Sequence, residues 1–304
     1  MPIVEIHDLT KDYEVGFFRK RKVRALDGLS LSVNANEIFG FLGANGAGKT
    51  TTLKLLMRLI FPSSGSARIL GHDINDVRMH HRIGYVPENP YFYDYLTARE
   101  LLEYCGQIFG QDASDRKKRA ATLLSRVRLE EKKWDTQLRK FSKGMLQRVA
   151  LAQSLINDPE VVFLDEPMSG LDPVGRREVR DLIAALRDEG KTVFMCSHIL
   201  SDIEVLCDRV AILKRGQLAQ VGYLDELRRA NEGPNRMEVM ATGTDAETLK
   251  QQLPETEIAP TPRGLRIEIA SEDEIDRVLT GLRKVGGKVV SVQPVKQSLE
   301  ELFL

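Results

Sequence analysis

The sequence predicts an α/β fold in several parts. A core sheet carries an inserted helical subdomain, an antiparallel β part precedes it, and a small α/β domain follows. Three observations predict this. Ile38-Phe39-Gly40-Phe41-Leu42 leads into Gly43-Ala44-Asn45-Gly46-Ala47-Gly48-Lys49-Thr50-Thr51, and Leu53, Leu56, Met57 and Ile60 follow at helical spacing: strand, glycine loop, helix. Continuous apolar runs at 161–164, 192–196 and 210–213 suit strands buried on both faces. Between about 90 and 158 the pattern is helical and richly charged, as an insertion in a sheet would be.

With 304 residues and 42% hydrophobic content, the chain can bury one large core and a smaller one. Lys plus Arg equal Asp plus Glu at 44 each, so overall charge favours no nucleic-acid partner. Cys105, Cys196 and Cys207 are odd in number and form no CxxC pair, which suits buried thiols in a reducing cytosol. The opening Met1-Pro2-Ile3-Val4-Glu5 does not read as a signal peptide, and no apolar run approaches the ~20 residues of a membrane span. Any membrane role is therefore expected through a partner.

The elements follow in order. Residues 3–6 read as a strand, with Leu9-Thr10-Lys11-Asp12-Tyr13 after it. Arg19-Lys20-Arg21-Lys22 with Arg24 form a basic patch beside Phe17 and Phe18, expected in a solvated hairpin or loop; contact with anionic headgroups or a permease is the sharper alternative. Leu29-Ser30-Leu31-Ser32-Val33 alternates as an edge strand. Residues 67–70 and 83–86 read as short strands, the second ending in the proline-stiffened Pro87-Glu88-Asn89-Pro90. Thr97 and Glu100 form a capping box ahead of Leu101, Leu102, Tyr104 and Cys105. A linker is expected at 228–236, which bounds a domain of 1–227 and a smaller one of 237–304. In the latter, strands are expected at 237–241, 265–269 and 289–292. Helices should be capped by Thr244 with Glu247 and by Ser271 with Glu274, and Ser298 with Glu301 should cap a terminal turn.

The chemistry concentrates at three places. In the glycine loop, residues 43–51 aim backbone N–H groups at an anion, and the dipole of the helix starting near Lys49 adds to their field. Lys49 is placed for β- and γ-phosphates and the Thr50 hydroxyl for Mg²⁺. The apolar run 161–164 ends in Asp165, placed to hold Mg²⁺, and Glu166, a candidate general base. Ser142 in Phe141-Ser142-Lys143-Gly144-Met145 is a natural N-cap, leaving free N–H groups at a positive helix end.

These motifs, with Gln147-Arg148, Leu-Asp-Glu-Pro at 164–167, Ser169-Gly170-Leu171-Asp172 and Ser197-His198, come in an order that resembles an ATP-binding cassette (ABC) transporter subunit over roughly residues 3–222. The resemblance implies a P-loop NTPase with a RecA-like core, ATP hydrolysis with Mg²⁺, and head-to-tail pairing of two cassettes, as homodimer or heterodimer. It further implies an integral-membrane permease as partner and a place at the cytoplasmic face of the membrane. By the same resemblance Tyr13 stacks on adenine, while Ser142 and Gly144 close over the γ-phosphate of ATP held by the other subunit. Asp172 communicates across the dimer, and His198 holds the γ-phosphate and the catalytic water. Glu88 stands where most cassettes carry glutamine and could still accept a Mg²⁺ bond. Lys143 and Met145 replace the usual Gly and Gln. With the tail Ser298-Leu299-Glu300-Glu301-Leu302-Phe303-Leu304, they resemble a bacterial exporter branch. The aromatic loop Tyr91-Phe92-Tyr93-Asp94-Tyr95 is expected either to seat a permease helix or to fill the subdomain's own core. A soluble cassette ATPase acting on nucleic acid or protein assemblies is the alternative; one cassette and no heptad run argue against it.

Overall fold

The computed structural model describes residues 2–16, 21–231, 237–270 and 274–294, without the side chains of 228–231 and 294. The polypeptide divides into two compact units, Met1–Leu224 and Asp225–Leu304.

The first unit opens with β1 (Pro2–Val15) and β2 (Arg21–Asn34), longer than the two short runs expected. They pair antiparallel from Pro2↔Asn34 to Val15↔Arg21. In β2 the alternation holds: Leu29, Leu31 and Val33 are buried and Ser30 and Ser32 exposed, as an edge strand with one wet face requires. Arg24 joins Asp12 at 2.8 Å and Asp27 at 2.7 Å, while Phe17, Phe18, Arg19 and Lys20 of the basic patch lie outside the described residues.

Next come β3 (Ile38–Leu42), α1 (Lys49–Leu56), β4 (Ser64–Ile69), β5 (His72–Asp73) and β6 (Ile83–Val86). The helical stretch holds α2 (Ala98–Ile108), α3 (Ala113–Arg126) and α4 (Lys143–Ser154). After it the chain returns to the sheet through β7 (Val161–Asp165), α5 (Pro173–Asp188), β8 (Thr192–Ser197), α6 (Leu200–Leu206), β9 (Arg209–Lys214) and β10 (Gln217–Tyr223).

The strands β2-β1-β4-β5 form one antiparallel sheet; the core sheet runs β10-β9-β3-β8-β7-β6. Within the core sheet β9, β3, β8, β7 and β6 are parallel and only β10 is antiparallel. Every residue of β3, β7 and β8 is buried, which their continuous apolar sequences foretell. Phe194 meets Phe39, Phe41 and Phe163 with ring centroids 5.4–5.6 Å apart, tilted. Each such buried ring contributes roughly 2–3 kcal/mol. These contacts fix the register: Leu42 lies opposite Ser197, and Cys196 opposite Asp165. The residues that follow each strand therefore emerge side by side at one edge of the sheet, where α/β sheets bind ligands.

α7 (Leu224–Asn231) is helix where a linker was expected to begin at 228; residues 232–236 of that linker lie outside the described residues. The second unit continues as β11 (Met237–Thr242), α8 (Ala246–Gln252), β12 (Glu257–Thr261), β13 (Gly264–Ile269), α9 (Ile275–Lys284) and β14 (Lys288–Pro294). This β-α-β-β-α-β order builds an antiparallel sheet, β12-β13-β11-β14, with its own core of Val239, Leu249, Ile267, Val278 and Leu282. Two expectations are corrected here. Asp245, not Thr244, caps α8 and accepts the Thr248 N–H at 2.8 Å. A strand not foreseen, β12, holds the sheet edge, where Pro260 costs no ladder bond. The expected caps at Ser271 and at Ser298–Glu301, and the tail 298–304, lie outside the described residues.

Candidate functional site

Beyond β3 the chain turns through a loop whose glycines are required by geometry. Gly48, the N-cap of α1, has φ +112°, and a Cβ on it would lie 2.7 Å from the Ala25 carbonyl oxygen. Neither the angle nor the space admits another residue. The loop borders a cavity of about 530 Å³ lined by Ala25, Asn45, Gly46, Gly48, Lys49, Thr50, Thr51, Glu88, Glu166, Ser169 and His198.

Four strand ends assemble it, with Glu88 arriving just after β6. From β3 come the loop and Lys49, whose ammonium donates to the Gly43 carbonyl at 2.7 Å and lies 3.4 Å from Glu166 Oε1. From β7 comes Glu166, buried, with its second oxygen 2.9 Å from His198 Nδ1. From β8 comes His198, whose side chain is partly exposed toward the opening. Glu166 thus sits between a cation and an imidazole. Its backbone takes φ 50°, the left-handed region, at a cost of about 1–3 kcal/mol. The Glu166 N–H, donating to the Cys196 carbonyl at 3.0 Å, and the Ser169 N–H, donating to the Glu166 carbonyl at 3.0 Å, hold it there.

Asp165, one residue earlier, is buried at the end of β7, and neither of its carboxylate oxygens has a hydrogen-bond partner. Burial pushes its pKa up to about 6; the nearby Thr50 hydroxyl opposes the rise without reaching hydrogen-bond geometry, the charges of Glu166 and Glu88 add to it, and Lys49 opposes it. A buried, unpartnered carboxyl near a threonine hydroxyl is a donor set of hard oxygens, and it fits a divalent cation such as Mg²⁺.

Gly43, Ala44 and Ala47 belong to the loop itself, whereas Tyr13, Ser142, Gly144 and Asp172 are not among the residues that line this cavity. Tyr13 is half-buried on β1 opposite Val23, with the Lys11 ammonium 5.2 Å from its ring centroid. Ser142 and Asp172 are exposed N-caps: Ser142 accepts the Met145 N–H at 3.3 Å at the start of α4, and Asp172 accepts the Gly175 N–H at 2.8 Å at the start of α5. Gly144 is half-buried beside Leu171. Sequence reasoning did not assign Ala25 and Ser169 to the cavity. Ser169 could have been found from its place three residues after Glu166, whereas Ala25 arrives from β2 with no local signal. The aromatic loop does not fill the core, since Tyr91 is 94% exposed and Tyr93 and Tyr95 are also exposed.

Comparison with known proteins identifies the family of this fold. Residues 26–169 match the ABC transporter family model, and residues 222–304 match the model of the ATP-binding protein DrrA1-3-like, C-terminal domain. An uncharacterized ABC transporter ATP-binding protein of Nostoc sp. is 46% identical over 99% of this chain and 89% of its own length. The Nod factor export ATP-binding protein I of Ralstonia nicotianae is 35% identical over 89% of this chain and 80% of its own. Among solved structures, a dimeric post-hydrolysis state of the ATP-binding cassette MJ0796 bound to ADP and Pi aligns with TM-score 0.68 at 27% identity, covering 73% of this chain and 98% of that one. The chain belongs to the ATP-binding proteins of ABC transporters, a family of ATPases built on the P-loop NTPase fold.

Proposed function

We propose that two copies of this chain, or one copy and a close relative, enclose ATP head to tail and drive a separate membrane permease, in the direction of export. The observation that carries this reading is a division of labour: the cavity gathers the glycine loop, Glu166 and His198, while Ser142, Gly144 and Asp172 lie apart from it near two helix N-termini. Each copy then has a bed for its own triphosphate and a second surface free to meet the other's. The dimeric cassette similar to this chain supports the pairing, and the relative named for Nod factor export supports the direction.

In this reading Gly43, Ala44, Asn45, Gly46, Ala47, Gly48 and Thr51 cradle the phosphates and Tyr13 stacks on adenine. Lys49 leaves its loop carbonyls for the β- and γ-phosphates. Thr50, Asp165 and Glu88 would hold Mg²⁺, which would supply positive charge against that developing on the phosphate oxygens. Glu166 accepts a proton from the attacking water, and His198, in contact with its carboxylate, orients that water against the γ-phosphate. Cleavage of the terminal phosphate removes what Ser142 and Gly144 of the other copy grip, and the pair opens. The exposed Tyr91, Tyr93 and Tyr95 suit a seat for the permease's cytoplasmic helix. The neutral overall charge favours no nucleic acid as partner.

The test is Glu166→Gln. Turnover should fall by roughly a hundredfold or more while ATP accumulates in a stable pair of chains, read by phosphate release and by light scattering. Ordinary hydrolysis by that variant would refute the assignment of the base.

A further inference from the structure

Lys143 stands between Ser142 and Gly144, yet it is not needed to cap the helix, and its side chain turns toward a different segment of the same chain. A Cβ placed on Gly170 would lie 2.7 Å from Lys143 Nζ and 3.2 Å from its Cδ and Cε, so the lysine stem occupies the space over that glycine. A second contact lies beside it, because a Cβ on Gly144 would lie 3.5 Å from Leu171 Cδ2. Further along the same two helices, Arg148 of α4 pairs with Glu178 of α5, each side chain only about a quarter exposed, and Arg148 also donates to the Arg128 carbonyl at 3.0 Å. No carboxylate reaches Lys143 among the described residues.

The other end of this contact is the cavity. Gly170 follows Ser169, which lines the cavity and whose N–H donates to the Glu166 carbonyl. Glu166 in turn meets Lys49 and His198. A continuous line of contacts therefore runs from Lys49 through Glu166, Ser169 and Gly170 to Lys143, and so from the chain's own cavity to the surface that carries Ser142 and Gly144.

We propose that Lys143 is a positioning residue: lying across Gly170, it couples the occupancy of the chain's own nucleotide cavity to the alignment of the Ser142–Gly144 surface that receives the other copy's nucleotide. This rests on the paired reading above. Binding at the glycine loop shifts the Glu166 to Ser169 turn, Gly170 carries the shift to the lysine stem, and the start of α4 follows. Arg148 and Glu178 keep the two helices from sliding apart, so the movement is passed on instead of being absorbed.

The test is a double-mutant cycle in the full-length Glu166→Gln chain, using Gly170→Ala, Lys143→Gly and both together. Two quantities are read: ATP affinity at chain concentrations too low for pairing, and ATP-driven association by light scattering. Each single variant should keep the low-concentration affinity within about twofold, while association weakens about tenfold. Gly170→Ala does so by displacing the lysine, Lys143→Gly by deleting it. The double variant should associate no worse than either single variant, because the lysine link is already lost in each. Independent, additive losses would overturn the proposal and assign the Gly170 effect to its φ of +70° alone. Unchanged association in Lys143→Gly would overturn it equally. If the Glu166→Gln parent itself fails to pair with ATP, the paired reading falls and this coupling with it. If the parent pairs and the cycle is additive, only the coupling falls.

Discussion

Asp165 is the residue whose energetics can be predicted most directly. Its folded-state pKa of about 6 lies above the ordinary 3.8, so the folded chain holds this proton more tightly than the unfolded one. The contribution is favourable below pH ~4 and is lost as pH rises through 6; above that, a buried and unpartnered charge costs on the order of 3 kcal/mol. Asp165→Asn should therefore be more stable than the parent in nucleotide-free and metal-free buffer at pH 7.5, with the gap closing toward pH 4, by urea denaturation across pH. A gap that stays flat with pH would contradict the raised pKa. Much of this site was legible from residue types. The glycine loop, the adjacent carboxylates and the Ser-His pair each announce themselves within a few residues. What could not be read locally is the left-handed backbone at Glu166, which nothing in the string Leu-Asp-Glu-Pro requires, and the arrival of Ala25 from another sheet.

At the level of single elements, sequence was most informative where side chains satisfy the backbone nearby. The Thr97 capping box forms as expected: Thr97 N–H donates to Glu100 Oε2 at 2.8 Å and Glu100 N–H to Thr97 Oγ1 at 3.2 Å. The start of α2 is further tied to the segment before α4, with Arg99 N–H donating to the Trp134 carbonyl and Leu138 N–H to that of Leu96. Thr97→Ala should cost about 1 kcal/mol and lower the melting temperature by a few degrees, with ATP affinity unchanged. A loss well above 2 kcal/mol would mean that the threonine does more than cap. The two misreadings in the second unit share a cause. Where several short polar residues crowd together, as in Thr242-Gly243-Thr244-Asp245, the pattern offers more than one N-cap. Pro260 hides an edge strand from any reading that treats proline as a breaker.

Across the whole molecule, each of the two units has its own core. The one tryptophan, Trp134, lies in the first, so its emission follows that unit while circular dichroism follows both. Leu249→Ala empties a fully buried position in the second unit and should cost about 2–5 kcal/mol there. An early circular-dichroism transition should then separate from an unshifted tryptophan transition; the two moving together would show the units to unfold as one. The chain's three cysteines, all free and all buried, include Cys105, whose thiol burial pushes up to about 11, and Cys196 and Cys207, also raised by burial. The native fold thus conceals every sulfhydryl it owns. Ellman's reagent should find almost none until denaturant is added, after which all three should colour. A cysteine introduced on the surface could be tagged with a spectroscopic label while the natural three stay in place.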